Sequence, residues 1–240
     1  MVISSGPWIC LAIRISGSNY AARILLTRKE HGYMAKSDPA VNSSFSLTAQ
    51  SPLGGHHVIT DGVSLIEITD LSIVSVAPLM GGETSFKSAI AKLFNAGTPS
   101  ATMALERTGK GRCFIMPSAH NQWFLVFDDN QSDPLDAAIG LLGKNTKPHL
   151  AMTDQSDSWA VLALSGIEAR QILERICPID CSAAAMPIGT TARTMMEHLG
   201  VIITRRPDTD DGAPCFWLFS ARSSAASFLH AITTTPPFHT

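Results

Sequence analysis

Residues 159–177 read WAVLALSGIEARQILERIC, and the fold turns on this stretch. Trp159 to Leu164 is a short, almost wholly apolar run, which predicts a strand. Gly166 to Cys177 follows with Ile167, Ile172, Leu173 and Ile176 spaced to form one face of a helix. Pro178 and Pro187 bracket a loop. Beyond it, Thr191 to Thr204 (TARTMMEHLGVIIT) includes a strand reaching Val201-Ile202-Ile203, and Asp208–Gly212 is a turn. Cys215 to Ser220 (CFWLFS) is the next strand and Ser223 to Ile232 a closing helix.

The same order occurs upstream. Leu71 to Ala77 (LSIVSVA) is β-branched and partly alternating, a strand. After Gly81-Gly82, Glu83 to Phe94 carries Phe86, Ile90, Leu93 and Phe94 at helical spacing, and Gly97-Thr98-Pro99 stops it. Thr102 to Arg107 and Cys113 to Met116 are two strands or one hairpin turning at Gly109-Lys110-Gly111. Trp123 to Asp128 is a further strand. Asp133 is placed to cap a helix that starts at Pro134 and runs through Leu142. Strand–helix–strand–strand–helix therefore appears twice, over about 65–142 and 156–232. The expectation is an α+β fold of two pseudo-repeated units, with antiparallel sheets covered by helices.

The 240 residues suit one large domain or two small ones. Lys+Arg number 18 against 20 Asp+Glu, a formal charge of −2 that argues against a nucleic-acid binder. Only 16% of residues are charged while 45% are apolar, so the chain has little charge with which to coat its surface, a hint of an obligate partner. Five scattered cysteines are not a disulfide framework and point to a reducing compartment. No apolar run approaches the roughly 20 residues that span a bilayer. Residues 1–60 are expected to form a disordered or extended arm ahead of a single domain over 61–240. Within that arm, 1–33 holds Arg14, Arg23, Arg28 and Lys29 against one acid. It resembles a transit peptide in composition, or lies upstream of a true start at Met34.

No catalytic, cofactor-binding or metal-binding residue stands out. Cys177 and Cys181 could supply half a zinc site, but no second Cys/His pair has ligand spacing, and Cys177 reads better as a small core hydrophobe. His56 and His57 diverge on an extended backbone. Gly109-Lys110-Gly111-Arg112 lacks the third glycine and the Lys-Ser/Thr pair of a phosphate loop. Arg193 and His198 could share an anion or face solvent and a partner. Asp154, Ser156 and Asp157 fit a turn or strand start. Trp123, Trp159 and Trp217 read as packing residues.

The pieces Thr153-Asp154-Gln155-Ser156, Trp159 to Arg170, Cys177-Pro178-Ile179-Asp180, Met186-Pro187-Ile188-Gly189, Ala192-Arg193-Thr194, Val201–Arg205 and Ala221-Arg222-Ser223 come in a particular order. In that order they resemble the gamma subunit of heterotetrameric sarcosine oxidase. Glu67-Ile-Thr-Asp-Leu, Ala77-Pro78 and Gln122-Trp123-Phe124-Leu125 extend the likeness, which is also similar to the gamma-type subunit of N-methylglutamate dehydrogenases. Asp157-Ser158 departs from the His-Arg of many sarcosine oxidases, which leaves the N-methyl amino acid and the electron acceptor open. The resemblance implies a fold like half of a folate-binding aminomethyltransferase domain. It also implies a non-catalytic structural subunit in a cytoplasmic complex with alpha, beta and delta subunits. FAD, FMN, NAD and tetrahydrofolate would sit on those other subunits, and the substrate methyl group would leave as formaldehyde or methylene-tetrahydrofolate. The alternative is a stand-alone folate-binding, aminomethyltransferase-like protein. In the complex, the helices of both halves are expected on one side of the sheets, with Arg193 and Arg222 at subunit contacts.

Overall fold

The computed structural model describes residues 10–14, 21–25, 48–95, 102–107 and 112–238. The chain divides into two units, Met1–Gln50 and Ser51–Thr240. In the first, β1 (Cys10–Arg14) and β2 (Ala21–Leu25) pair as an antiparallel ribbon. The remainder of the expected 1–33 and 34–60 segments, up to residue 47, lies outside the described residues.

The second unit begins earlier than the sequence suggested. Glu67, only 6% exposed, accepts hydrogen bonds from the Ser51 hydroxyl (3.0 Å) and from the backbone N–H groups of Leu53 (3.0 Å), Gly55 (2.7 Å) and His56 (3.3 Å). A buried carboxylate needs such donors. Meeting that need pins 51–56 to the domain and leads the chain into β3 (His57–Thr60), an edge strand beside β4 (Val63–Glu67). The domain boundary therefore falls at 50/51 rather than 60/61.

Two antiparallel sheets follow. The first half supplies β5 (Ser72–Pro78), α1 (Glu83–Phe94), β6 (Leu105–Arg107), β7 (Cys113–Ala119), β8 (Gln122–Phe127) and α2 (Pro134–Leu142). After β9 (Leu150–Asp154), the second half supplies β10 (Trp159–Ser165), α3 (Ala169–Ile176), β11 (Thr191–Met196), β12 (Leu199–Arg206), β13 (Cys215–Ala221) and α4 (Ala225–Thr233). The strand orders are β6-β7-β8-β5-β9 and β11-β12-β13-β10-β4-β3. Position for position the two orders match, with β3 as an extra edge. The match contains an exchange. β4 precedes the first half but pairs with β10, and β9 precedes the second half but pairs with β5.

Alternation along the strands explains the layering. Val74, Val76, Cys113, Ile115, Leu125 and Phe127 face α1 and α2, where Phe86, Ile90 and Leu142 meet them. Leu65, Leu162, Leu164, Val201, Ile203 and Leu218 face α3 and α4, under Ile172, Leu173, Phe228 and Ile232. The opposite faces meet each other through Ile73, Phe114, Met116, Phe124, Val126, Val161, Ile202 and Phe219. The result is helix, sheet, sheet, helix, so the two helix pairs lie on opposite outer faces and not on one side. Each fully buried side chain in these layers contributes roughly 1.5–3 kcal/mol.

Two local expectations shift. Ile167 is 75% exposed, because Gly166–Glu168 is a turn and α3 starts at Ala169. Gly166 sits at φ 120° with the Gly62 carbonyl oxygen 2.2 Å from where a Cβ would stand, so only glycine lets these backbones approach. The stretch 191–204 is two strands, turned at Glu197 (φ 45°) and His198 (φ 68°), a two-residue hairpin turn with positive φ at both central residues.

Candidate functional site

The largest departure from a plain apolar sandwich lies at the end of β12. Arg205 and Arg206 are 4% and 8% exposed, and as strand neighbours they leave by opposite faces. Arg205 lies 5.1 Å from the Phe216 ring centroid, donates to the Cys215 carbonyl (3.0 Å) and the Arg206 carbonyl, and pairs with Asp208. Arg206 enters the space between the sheets. Its guanidinium is 4.2 Å from the Phe114 centroid and 4.5 Å from that of Trp217, and 3.4 Å from the Glu106 carboxylate. Arg205 is thus compensated by a ring, two carbonyls and an acid, and Arg206 by two rings and an acid, as a buried charge must be. Both are occupied within the chain.

On the α3 side, Arg170 also approaches Phe216 (5.7 Å) and its Nε donates to the Cys181 carbonyl (3.0 Å). Cys177 and Cys181 are both buried, and their Sγ atoms lie 3.9 Å apart. Hydrogen bonding from Cys181 lowers the Cys177 thiol pKa against the raising effect of burial, and the same contact together with burial raises that of Cys181. Burial likewise pushes the Cys215 thiol up, against the pull of Arg206 and Arg205. Cys177 does join the apolar core, together with Cys181. Among the described residues, no group of three or more His, Cys, Asp or Glu side chains converges as a metal site would require.

The remaining sequence candidates fall as follows. His56 gives its backbone N–H to Glu67, while His57 opens the edge strand β3. Gly109-Lys110-Gly111 lies outside the described residues, and Arg112 pairs with Asp128 at 3.0 Å. Arg193 Nη1 donates to the Ser118 carbonyl of the other sheet (3.2 Å), an internal tie, whereas His198 sits in the hairpin turn, so the two do not share a site. Arg222 stands 3.9 Å from Asp157. Asp154 accepts from the Ser156 N–H (2.9 Å) and hydroxyl (2.6 Å), and Ser156 Oγ accepts from the Ile73 N–H (3.0 Å), a strand-end turn. The tryptophans pack: Trp123 on Phe86, Trp159 on Phe124, Trp217 on Phe114. Sequence reasoning missed Glu67 as an anchor and the pair Arg205-Arg206. The one available signal was two adjacent cations closing an apolar strand, an arrangement that requires partners on both faces.

No protein-family model matches the sequence, and no curated protein matches it. Solved structures do. A chain of the heterotetrameric sarcosine oxidase from Corynebacterium sp. U-96 superposes with a TM-score of 0.59 at 18% identity, over 77% of this chain and 89% of that one. The fold is that of a sarcosine oxidase chain. The same architecture recurs in the glycine cleavage system aminomethyltransferase T from Bartonella henselae, with a TM-score of 0.51 at 12% identity over 77% of this chain. This chain spans 57% of that aminomethyltransferase, a little over half. The shared fold is a mixed α+β fold built on two antiparallel sheets, and among the described residues no helix is long and apolar enough to cross a membrane.

Proposed function

We propose that this chain is the non-catalytic gamma-type subunit of a flavin-dependent complex that oxidatively demethylates an N-methyl amino acid, of the sarcosine oxidase or related dehydrogenase kind. The carrying observation is the fold match to one chain of an oxidase described as heterotetrameric, over nearly all of that chain. The match agrees with the motif order between Thr153 and Ser223. Its surface supports the reading: Ile59 is 66% exposed, Ile167 as noted, and Met80 fully so, in a chain poor in charge.

In this reading the FAD, FMN, NAD and tetrahydrofolate, and with them the oxidation of the substrate methyl group and its release as formaldehyde or methylene-tetrahydrofolate, belong to alpha, beta and delta subunits in the cytoplasm. The role of this chain is to hold them in register. Its buried cations and acids serve the fold: Arg205 and Arg206 have internal partners, and Glu67 directs both carboxylate oxygens at residues 51–56. The alternative is a stand-alone folate-binding protein.

Co-expression with the neighbouring genes tests both. A tag on this chain is expected to retain a yellow complex of several polypeptides, while the chain expressed alone carries no flavin spectrum. A colourless monomer that ignores those products and binds tetrahydrofolate in calorimetry overturns the subunit reading.

A further inference from the structure

We propose that Cys177 and Cys181 form a dithiol oxidation site, closed by hydrogen peroxide to an intrachain disulfide. The loop after α3 turns back on the helix end. The Cys177 N–H closes α3 on the Leu173 carbonyl (2.8 Å), and Pro178 ends the helix there. Asp180 then accepts from the Ser182 N–H (2.8 Å), and the Arg170 Nε holds the Cys181 carbonyl. These bonds fold the chain back so that Cys181 Sγ faces Cys177 Sγ at 3.9 Å. A disulfide requires about 2.05 Å, a distance that side-chain rotation and a small loop adjustment can cover. Cys113 and Cys215 are placed differently, the first in the first half's core and the second beside the arginines.

The pair is chemically prepared as well as close. The Cys181 S–H stabilises a Cys177 thiolate, the form that attacks peroxide, so Cys177 is the attacking sulfur and Cys181, whose ionisation that contact and burial disfavour, the resolving one. The Cys177 thiolate attacks one peroxide oxygen, breaking the O–O bond and giving a sulfenic acid and, after protonation, water. The Cys181 sulfur then attacks the Cys177 sulfur, the S–S bond forms and a second water leaves. Two thiols and one hydrogen peroxide become one disulfide and two waters, with two electrons passing from sulfur to oxygen. The site stands on its own geometry, independently of the subunit reading.

The test uses the full chain, reduced, desalted and treated with hydrogen peroxide, then alkylated in denaturant and cleaved after arginine. The peptide 176–193 contains both thiols. It is expected two hydrogens lighter, unalkylated and restored by dithiothreitol, with the pair lost about tenfold faster than Cys113. Cys181→Ser is expected to leave a Cys177 sulfenic acid that dimedone traps. Retention of both alkylatable thiols at peroxide levels that oxidise Met186, or crosslinking of either to Cys10, Cys113 or Cys215 instead, overturns the proposal.

Discussion

The two halves share a strand order but not a polar design, and their registers allow the difference to be located. Ile73 stands opposite Val126 and Val161 opposite Phe219; one strand further, Val126 faces Phe114 and Phe219 faces Ile202. Continuing along β7 and β12 from that match, Pro117 and Ser118 occupy the places of Arg205 and Arg206. The first half ends its strand with a bulge between Pro117 and Ala119, and the second with two compensated cations. The exchanged strands differ in the same way. Glu67 and Asp154 sit at matching positions, opposite Leu162 and Val74, yet Glu67 collects a distant segment and Asp154 only its own turn. A repeated backbone plan can thus carry different polar anchors, provided the buried charges find partners.

The comparison breaks most visibly at the arginine. Arg206→Ala leaves Glu106 without its ion pair and Phe114 and Trp217 without the intervening guanidinium. It is expected to cost about 2–4 kcal/mol in urea unfolding, against well under 1 kcal/mol, roughly, for Ser118→Ala. Equal losses would mean the two strand ends do equivalent work. Glu67→Ala should cost about 2–3 kcal/mol and expose residues 51–56 to rapid amide exchange. Asp154→Ala should cost about 1 kcal/mol with no change there.

A pH series sharpens the contrast between cores. Cys113 corresponds in register to Val201, and burial raises its thiol pKa from 9.0 to about 11. The unfolded thiol ionises first on raising the pH. The stability is therefore fully present below pH 9, falls as pH rises toward 11 and levels off beyond. That loss amounts to at most about 2–3 kcal/mol. Cys113→Val, which makes the first half like the second, should remove that part of the alkaline slope in unfolding curves at pH 8 to 11. An effect of about the size of that at Asp154 is expected at α2, the one described α-helix with a side-chain N-cap: Asp133 Oδ1 accepts from the Asp136 N–H at 2.9 Å. Asp133→Ala should lower stability by about 1 kcal/mol, whereas Gly82→Ala at α1 loses no cap but clashes with the His149 carbonyl.

Much of this architecture was legible in the residues. Glu83–Phe94, the Asp133 cap and the strands at Leu71, Trp123, Trp159 and Cys215 carry periodicity and punctuation strong enough to survive packing. β4 and β9 escaped because VSLIE and LAMTD are short and their partners lie in the other half, a pairing no local pattern encodes. The Glu197-His198 turn escaped because it places two non-glycine residues at positive φ. At the candidate site, single-residue reasoning handled the tryptophans and histidines. It had no means of seeing that Cys181 returns to Cys177 or that Arg206 sits between rings from both sheets, since those contacts are set by tertiary packing.

The exchange of β4 and β9 makes the halves interdependent. Besides the sheet ladders, Ile68 N–H reaches the Val161 carbonyl (2.9 Å) and Gln155 N–H the Ile73 carbonyl (2.8 Å). Thr191 and Ala104 bond across to Thr102 and Gly189, each at 2.7 Å. These contacts come in matching pairs, as in a two-fold dimer whose protomers have traded a strand, here joined into one polypeptide. Neither half closes its own sheet, so a fragment ending near Asn145 would carry an open edge at β5 where β9 belongs. Two such fragments made separately would complete each other only by meeting.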